Sequence, residues 1–164
     1  MPALKKVAFL DRDGVINVRR DNPYYVTSVN HLIFNEGIFE VLRRLVDEGF
    51  ELVILTNQRA ISLGLMSESD LLAIHNYMVA ELQKKGVEIL EILFCPHGLD
   101  ECSCRKPKHG MLHAIAEKYV IDFPNSILIS DSREDVEMGE KFGIGKNIYV
   151  EENNPTQFFD YYKK

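Results

Sequence analysis

Short apolar runs alternate with stretches of helical period from one end of the chain to the other, and this alternation constrains the fold more than any other feature. The runs VAFL (7–10), ELVILT (51–56), EILEILFC (88–95), SILISD (126–131) and NIYV (147–150) have the length and near-continuous apolar character of strands covered on both faces. Between them, Ile38, Val41, Leu42 and Leu45 form one apolar stripe that stops before Gly49, a residue suited to a helix C-terminus. SESDLLAIHNYMVAELQKKG offers Ser67 or Ser69 as N-cap and ends at Gly86. GMLHAIAEKY and SREDVEMGEKFG carry the same period, and PTQFFDYYKK predicts a short terminal helix. Strand alternating with helix predicts an α/β fold: a doubly wound parallel sheet with helices on both faces. With no repeat, low-complexity segment or linker, residues 1–164 are expected to form a single domain. Two connections, 17–36 and 95–109, are longer than turns, and long loops in such folds tend to carry function.

In open α/β sheets ligands bind beyond the carboxyl ends of the strands, so what each strand ends in matters. The first ends in Asp11-Arg12-Asp13, where a core strand has no structural use for two carboxylates. The second ends in Thr56-Asn57 and the fourth in Ser130-Asp131-Ser132, with Asp135 one helical turn later; the third leads through a loop to Arg105-Lys106. Three crowded carboxylates raise one another's pKa unless a cation sits among them, and a hard divalent ion such as Mg²⁺ suits oxygen ligands. A lysine and a threonine hydroxyl beside that ion suit the oxygens of a phosphoryl group. Two aspartates then divide the work, one as nucleophile on phosphorus and one as proton shuttle.

Composition excludes other classes. The net charge of -6, with acids and bases interspersed, argues against a nucleic-acid footprint. No stretch is long and apolar enough to span a bilayer, and MPALKKVAFLD has too short an apolar run for a signal peptide. A cytoplasmic, monomeric protein acting on a small phosphorylated metabolite is expected.

DRDGVIN, TNQ, RKP and SDSRED, in that order and at those strand ends, resemble the four motifs of the haloacid dehalogenase superfamily of phosphohydrolases. The resemblance spans residues 7–140. It implies Asp11 as the nucleophile that forms an aspartyl-phosphate and Asp13 as general acid/base, with Thr56 and Lys106 holding the phosphoryl group. It also implies Mg²⁺ held by Asp11, Asp131 and the Asp13 backbone carbonyl. Asp135 is the fourth motif's second acid, or simply an acid that favours a helix N-terminus. Two readings of other classes remain beside it: a phosphoacceptor receiver domain, which uses similar groups on a similar sheet, and an inactive relative that only binds. The order of Asp-x-Asp and of Lys106 before Asp131 disfavours the first, and the complete set of acids disfavours the second.

All three cysteines fall within ten residues, as Cys95-x-His97-x4-Cys102-x-Cys104. Three thiolates and one imidazole match a closed tetrahedral zinc site, hence a structural one. Because Cys104 precedes Arg105 and Lys106 directly, such a clamp would fix both. This pattern followed by RKP is similar to the subgroup of histidinol-phosphate and D-glycero-D-manno-heptose-1,7-bisphosphate phosphatases, which implies substrate recognition by Arg105. The chain is too short for a separate cap domain, so the loops 17–36, 57–66 and 95–105 are expected to shape the pocket. Asn57 and Arg59 join Arg105 as expected substrate contacts, with Arg19, Arg20 and Asn22 available nearby and Tyr24-Tyr25 as a wall or as loop packing. His31, His75, His109 and His113 have no metal-ligand spacing and are expected to be solvated or packed. Those cations favour a heptose bisphosphate, with histidinol phosphate as the alternative; which phosphate leaves stays open.

Overall fold

The computed structural model describes residues 2–21 and 24–162. Its order is β1 (Val7–Leu10), α1 (Ile38–Asp47), β2 (Glu51–Asn57), α2 (Glu68–Lys84), β3 (Glu91–Cys95), α3 (Gly110–Lys118), β4 (Ile127–Ser130), α4 (Arg133–Phe142), β5 (Lys146–Tyr149) and the short α5 (Phe158–Tyr161), with single 3-10 turns at Val29–His31, Phe123–Asn125 and Pro155–Gln157. The five strands are all parallel in the order β3-β2-β1-β4-β5. The first strand is therefore central, flanked by β2 and β4, and the chain reverses direction across the sheet between them. That switch point is where the carboxyl ends of the strands leave a crevice.

The period-2 alternation of β1 divides the core. Ala8 and Leu10, with Leu52, Ile54 and Ile129, pack against α1 and α2 through Val41, Leu45, Leu71 and Ile74. Val7 and Phe9, with Val53, Leu55 and Leu128, pack against α3 and α4 through Met111, Ile115 and Met138. Both faces of the sheet are thus buried, as the near-continuous apolar strands require.

The start of α2 is decided by a capping box: the Ser67 hydroxyl accepts from the Asp70 backbone N–H while the Asp70 carboxylate accepts from that of Ser67, so Ser67 and not Ser69 is the cap. The third strand begins at Glu91 rather than at residue 88, because its register sets Glu91 opposite Val53 and β2 itself begins only at Glu51. No helix among the described residues is long and apolar enough to cross a membrane.

Candidate active site

Asp11 leaves the end of β1, its backbone N–H donating to Ile129 of β4 at 3.1 Å. Lys106 reaches it from the loop after β3. Its ammonium lies 3.0 Å from Asp11 Oδ1, 2.9 Å from Asp135 Oδ2 and 2.8 Å from the Leu55 carbonyl, so all three of its protons have acceptors. The Ser130 hydroxyl donates to Asp135 Oδ2 at 2.9 Å and accepts from the Ser132 N–H at 3.0 Å. Asp135 is therefore more than an acid placed for the helix dipole; it is a buried partner of Lys106. Burial pushes the Asp11 carboxyl up to about 7, against the pull of Lys106 and with the help of Asp135 and Asp131. Burial works against the Lys106 charge, but Asp11 and Asp135 outweigh it and hold its pKa above the usual lysine range. The lysine stays charged.

Asp13 has a different environment. Its Oδ1 accepts from Arg12 Nε at 3.1 Å, Arg12 Nη2 at 2.8 Å and Asn17 Nδ2 at 2.8 Å, while Oδ2 faces Gln58 Nε2 at 3.2 Å. Burial pushes this carboxyl up too, yet Arg12 and Asn17 outweigh it and hold it below the usual carboxylate range.

Asp131 lies next to Gly14, whose φ of +89° favours glycine and where a Cβ would fall 2.1 Å from Asp131 Oδ2. The glycine lets the carboxylate approach the Asp13 backbone. Into the space between them comes a cation of the protein itself: Arg19 Nε is 3.3 Å from Asp131 Oδ2 and Arg19 Nη2 donates to the Asp13 carbonyl at 3.1 Å. Asn153 secures Arg19 by accepting from its backbone N–H at 2.7 Å. The carbonyl and carboxylates expected to surround Mg²⁺ thus already enclose a positive charge, and as hard oxygen donors they fit such an ion.

Asp11, Asp13, Arg19 and Lys106 line a cavity of about 390 Å³ together with Thr56, Arg59, Arg105 and the walls Tyr24, Tyr25, Val26 and Leu99. The buried Thr56 hydroxyl accepts from Gln58 at 2.8 Å. Asn57 borders the cavity, but its amide is engaged by the lysine loop: Nδ2 donates to the Lys106 carbonyl at 3.2 Å and Oδ1 accepts from the Lys106 N–H at 3.0 Å. It clamps Lys106 at the edge of the cavity where a substrate contact was expected. Arg20 turns away to donate to the His31 carbonyl at 3.1 Å and does not line the cavity. Asn22 lies outside the described residues.

The loop between β3 and Lys106 gathers Cys95, His97, Cys102 and Cys104 with their ligand atoms within 4.8 Å of one another. Cys104 Sγ lies 2.9 Å from Cys95 Sγ and 3.4 Å from Cys102 Sγ, and His97 Nδ1 is 3.4 Å from Cys95 Sγ and from Cys104 Sγ. Zinc–sulfur bonds of about 2.3 Å give a tetrahedron with edges of about 3.8 Å, so this donor set fits zinc after a small expansion. Burial pushes the Cys95 thiol up to about 12. Burial also raises Cys102, but the Arg105 backbone N–H and the neighbouring thiols outweigh it and bring that thiol down to about 6.

Comparison with known proteins matches this architecture. The profile of the family described as polynucleotide kinase 3 phosphatase matches residues 6–141. A D-glycero-alpha-D-manno-heptose-1,7-bisphosphate 7-phosphatase of Campylobacter jejuni is 40% identical over 96% of this chain and 90% of its own. The chain belongs to this phosphatase family of the haloacid dehalogenase superfamily. Among solved structures of the superfamily, the D,D-heptose 1,7-bisphosphate phosphatase of B. bronchiseptica complexed with magnesium and phosphate superimposes with a TM-score of 0.82 at 32% identity, covering 96% of this chain and 87% of that one. A D-glycero-beta-D-manno-heptose-1,7-bisphosphate 7-phosphatase of Vibrio cholerae is 37% identical over 92% of this chain and 84% of its own.

Sequence reasoning missed four residues of the site: Arg12, Gln58, Ser130 and His75. Arg12, Gln58 and Ser130 stand inside the quoted superfamily motifs and were findable there. His75 was not, because it meets Arg12 across 63 residues of chain.

Proposed function

We propose that the protein hydrolyses the 7-phosphate of D-glycero-D-manno-heptose 1,7-bisphosphate through an aspartyl-phosphate on Asp11. The observation that carries this is the pairing of Asp11 with Lys106 at the floor of a cavity whose rim presents two further cations, Arg59 and Arg105. One phosphate fits the floor, and a second needs cations at the rim. Relatives named as heptose bisphosphate 7-phosphatases, similar over nearly the whole chain, support the choice of sugar and of phosphate.

In this reading Asp13 takes up a proton from solvent as substrate binds, an Asp11 oxygen attacks phosphorus in line, the P–O bond to the sugar breaks, and Asp13 passes that proton to the departing oxygen. Asp13 then removes a proton from water as it attacks the aspartyl-phosphate, releasing phosphate and restoring Asp11. Thr56 and Lys106 hold the phosphoryl oxygens, and Asn57 keeps the Lys106 backbone in place. Asp11, Asp131 and the Asp13 carbonyl would hold Mg²⁺, which when bound neutralises phosphoryl charge. Cys95, His97, Cys102 and Cys104 would hold zinc, whose part is to fix the loop bearing Arg105 and Lys106. The whole chain acts as one catalytic domain, since one sheet carries every motif.

The test is a hydrolysis panel with Mg²⁺ present, containing the heptose bisphosphate, histidinol phosphate and a 3′-phosphorylated oligonucleotide. The heptose is expected to lead histidinol phosphate by at least about tenfold in kcat/KM, and the oligonucleotide to remain intact. Phosphorus NMR of the product identifies the position cleaved. A tenfold preference for histidinol phosphate overturns the substrate and leaves the chemistry standing.

A further inference from the structure

Arg12, between the two aspartates, is fully buried. A guanidinium out of water is tolerated only when its donors find acceptors. Nε and Nη2 find theirs on Asp13 Oδ1, at 3.1 and 2.8 Å. The other terminal nitrogen, Nη1, points at the ring of His75 on α2, 3.0 Å from Nε2. Arginine has no lone pair, so His75 must be the acceptor, neutral and carrying its proton on Nδ1. Burial and then the Arg12 charge press in the same direction, holding the imidazole pKa down at about 3.

The apolar neighbours of His75 on its helix, Leu71, Ile74 and Met78, are all buried against the sheet, and the imidazole meets the Phe94 ring edge-on, so its surroundings are apolar apart from Arg12 and a leucine would be compatible with them. What a leucine lacks is the lone pair. Without it, a buried Nη1 has lost its acceptor, and the guanidinium must turn to find another. A turned fork no longer presents both Nε and Nη2 to the same carboxylate oxygen.

We propose that His75 is a positioning residue for the hydrolytic reaction: it fixes the rotation of Arg12 so that the guanidinium grips Oδ1 of Asp13 alone. Oδ2, which faces Gln58 at 3.2 Å on the cavity side, is then the oxygen that exchanges the proton with the leaving group. This rests on the reading of Asp13 as acid and base given above.

The test compares His75→Leu and His75→Gln with the unaltered enzyme on two esters, the best sugar phosphate of the panel and p-nitrophenyl phosphate. The comparison uses kcat/KM, which reports events up to formation of the aspartyl-phosphate and release of the alcohol. A sugar alkoxide needs a proton to leave, whereas p-nitrophenolate does not. His75→Leu is expected to lose roughly tenfold to 100-fold on the sugar phosphate, part of the 10²–10⁴-fold that general acid catalysis supplies, with no more than a slight loss on the aryl ester. His75→Gln, whose amide oxygen also accepts, is expected to recover most of the loss, and thermal melts establish that both variants fold. Equal losses on the two esters, or none, overturn the role of His75. If the unaltered enzyme cleaves p-nitrophenyl phosphate but no sugar or alkyl phosphate, or cleaves neither, the reading of Asp13 fails and this inference fails with it.

Discussion

Asp11 and Asp13 are two residues apart and have opposite acidities. Asp11 is buried among acids with one lysine opposing them, and its pKa rises to about 7; Asp13 is held by an arginine fork and an amide, and its pKa falls. A raised carboxyl pKa means a proton competes with any cation that needs the ionised form. Affinity for Mg²⁺ should therefore be constant above pH 7 and weaken by up to about tenfold per pH unit below it, which calorimetric titration on either side of that pH measures. Asp11→Asn should abolish turnover with the fold intact, and Asp13→Asn should slow it by roughly 10²–10⁴-fold; an Asp11→Asn enzyme with near-normal turnover would sink the proposed chemistry. Lys106→Met leaves Asp11 and Asp135 buried without their counter-charge and should lower stability by about 3–5 kcal/mol in denaturant titrations without magnesium. The pair Asp11 and Asp13 could be picked out of the sequence because two acids ending an apolar run, which alone could be a turn, stand in order with three further polar strand ends. Their acidities could not, since Arg12 reads as a solvated residue until its partners, including one on α2, are in place.

At the scale of elements, the informative one is the loop from Cys95 to Lys106. It is hung at both ends: Cys95 is the last residue of β3, and Asn57 at the end of β2 grips the backbone of Lys106 from both sides. Between these points the described residues form no helix or strand, and the Cys/His cluster holds the loop together with a few hydrogen bonds, from the Gly98 N–H to Glu101 Oε1 and from Arg105 Nη1 to the His97 carbonyl. Removal of zinc should raise hydrogen exchange across residues 96–106 while β1, β2 and β4 stay protected, and should lower kcat/KM through Arg105 and Lys106. Unchanged exchange and activity after verified zinc removal would show that the loop holds itself. The elements were readable from periodicity because the inner strands β1, β2 and β4 are covered on both faces and the long helices on one. The start of β3 was not, since it depends on where its neighbour β2 begins, a fact of register and not of local composition. The role of Asn57 was hidden for a similar reason: an asparagine at a strand end announces a polar contact, not with whom.

At the scale of the molecule, the placement of the first strand at the centre of the sheet explains why four separated motifs meet. Strands β2 and β4 lie on either side of β1, so the carboxyl ends that carry Thr56, Ser130 and Asp131 converge on Asp11. That same placement has a consequence in time. The ribosome delivers the central strand first, yet Lys106 comes 95 residues after Asp11, and Ser130 comes 119 after it. Until β4 has been synthesised, one side of β1 has no neighbour to take its hydrogen bonds, and Phe9 has only part of its eventual cover. Long-range pairing of this kind is slow to form and exposes apolar surface while it waits. A chain ending at Asn125 should consequently fail to unfold cooperatively and should aggregate when released, a result that sedimentation of the truncated product would reveal. For a nascent chain, Asp11 is made before either strand that will flank it, and the pocket around it can close only after β4 has followed.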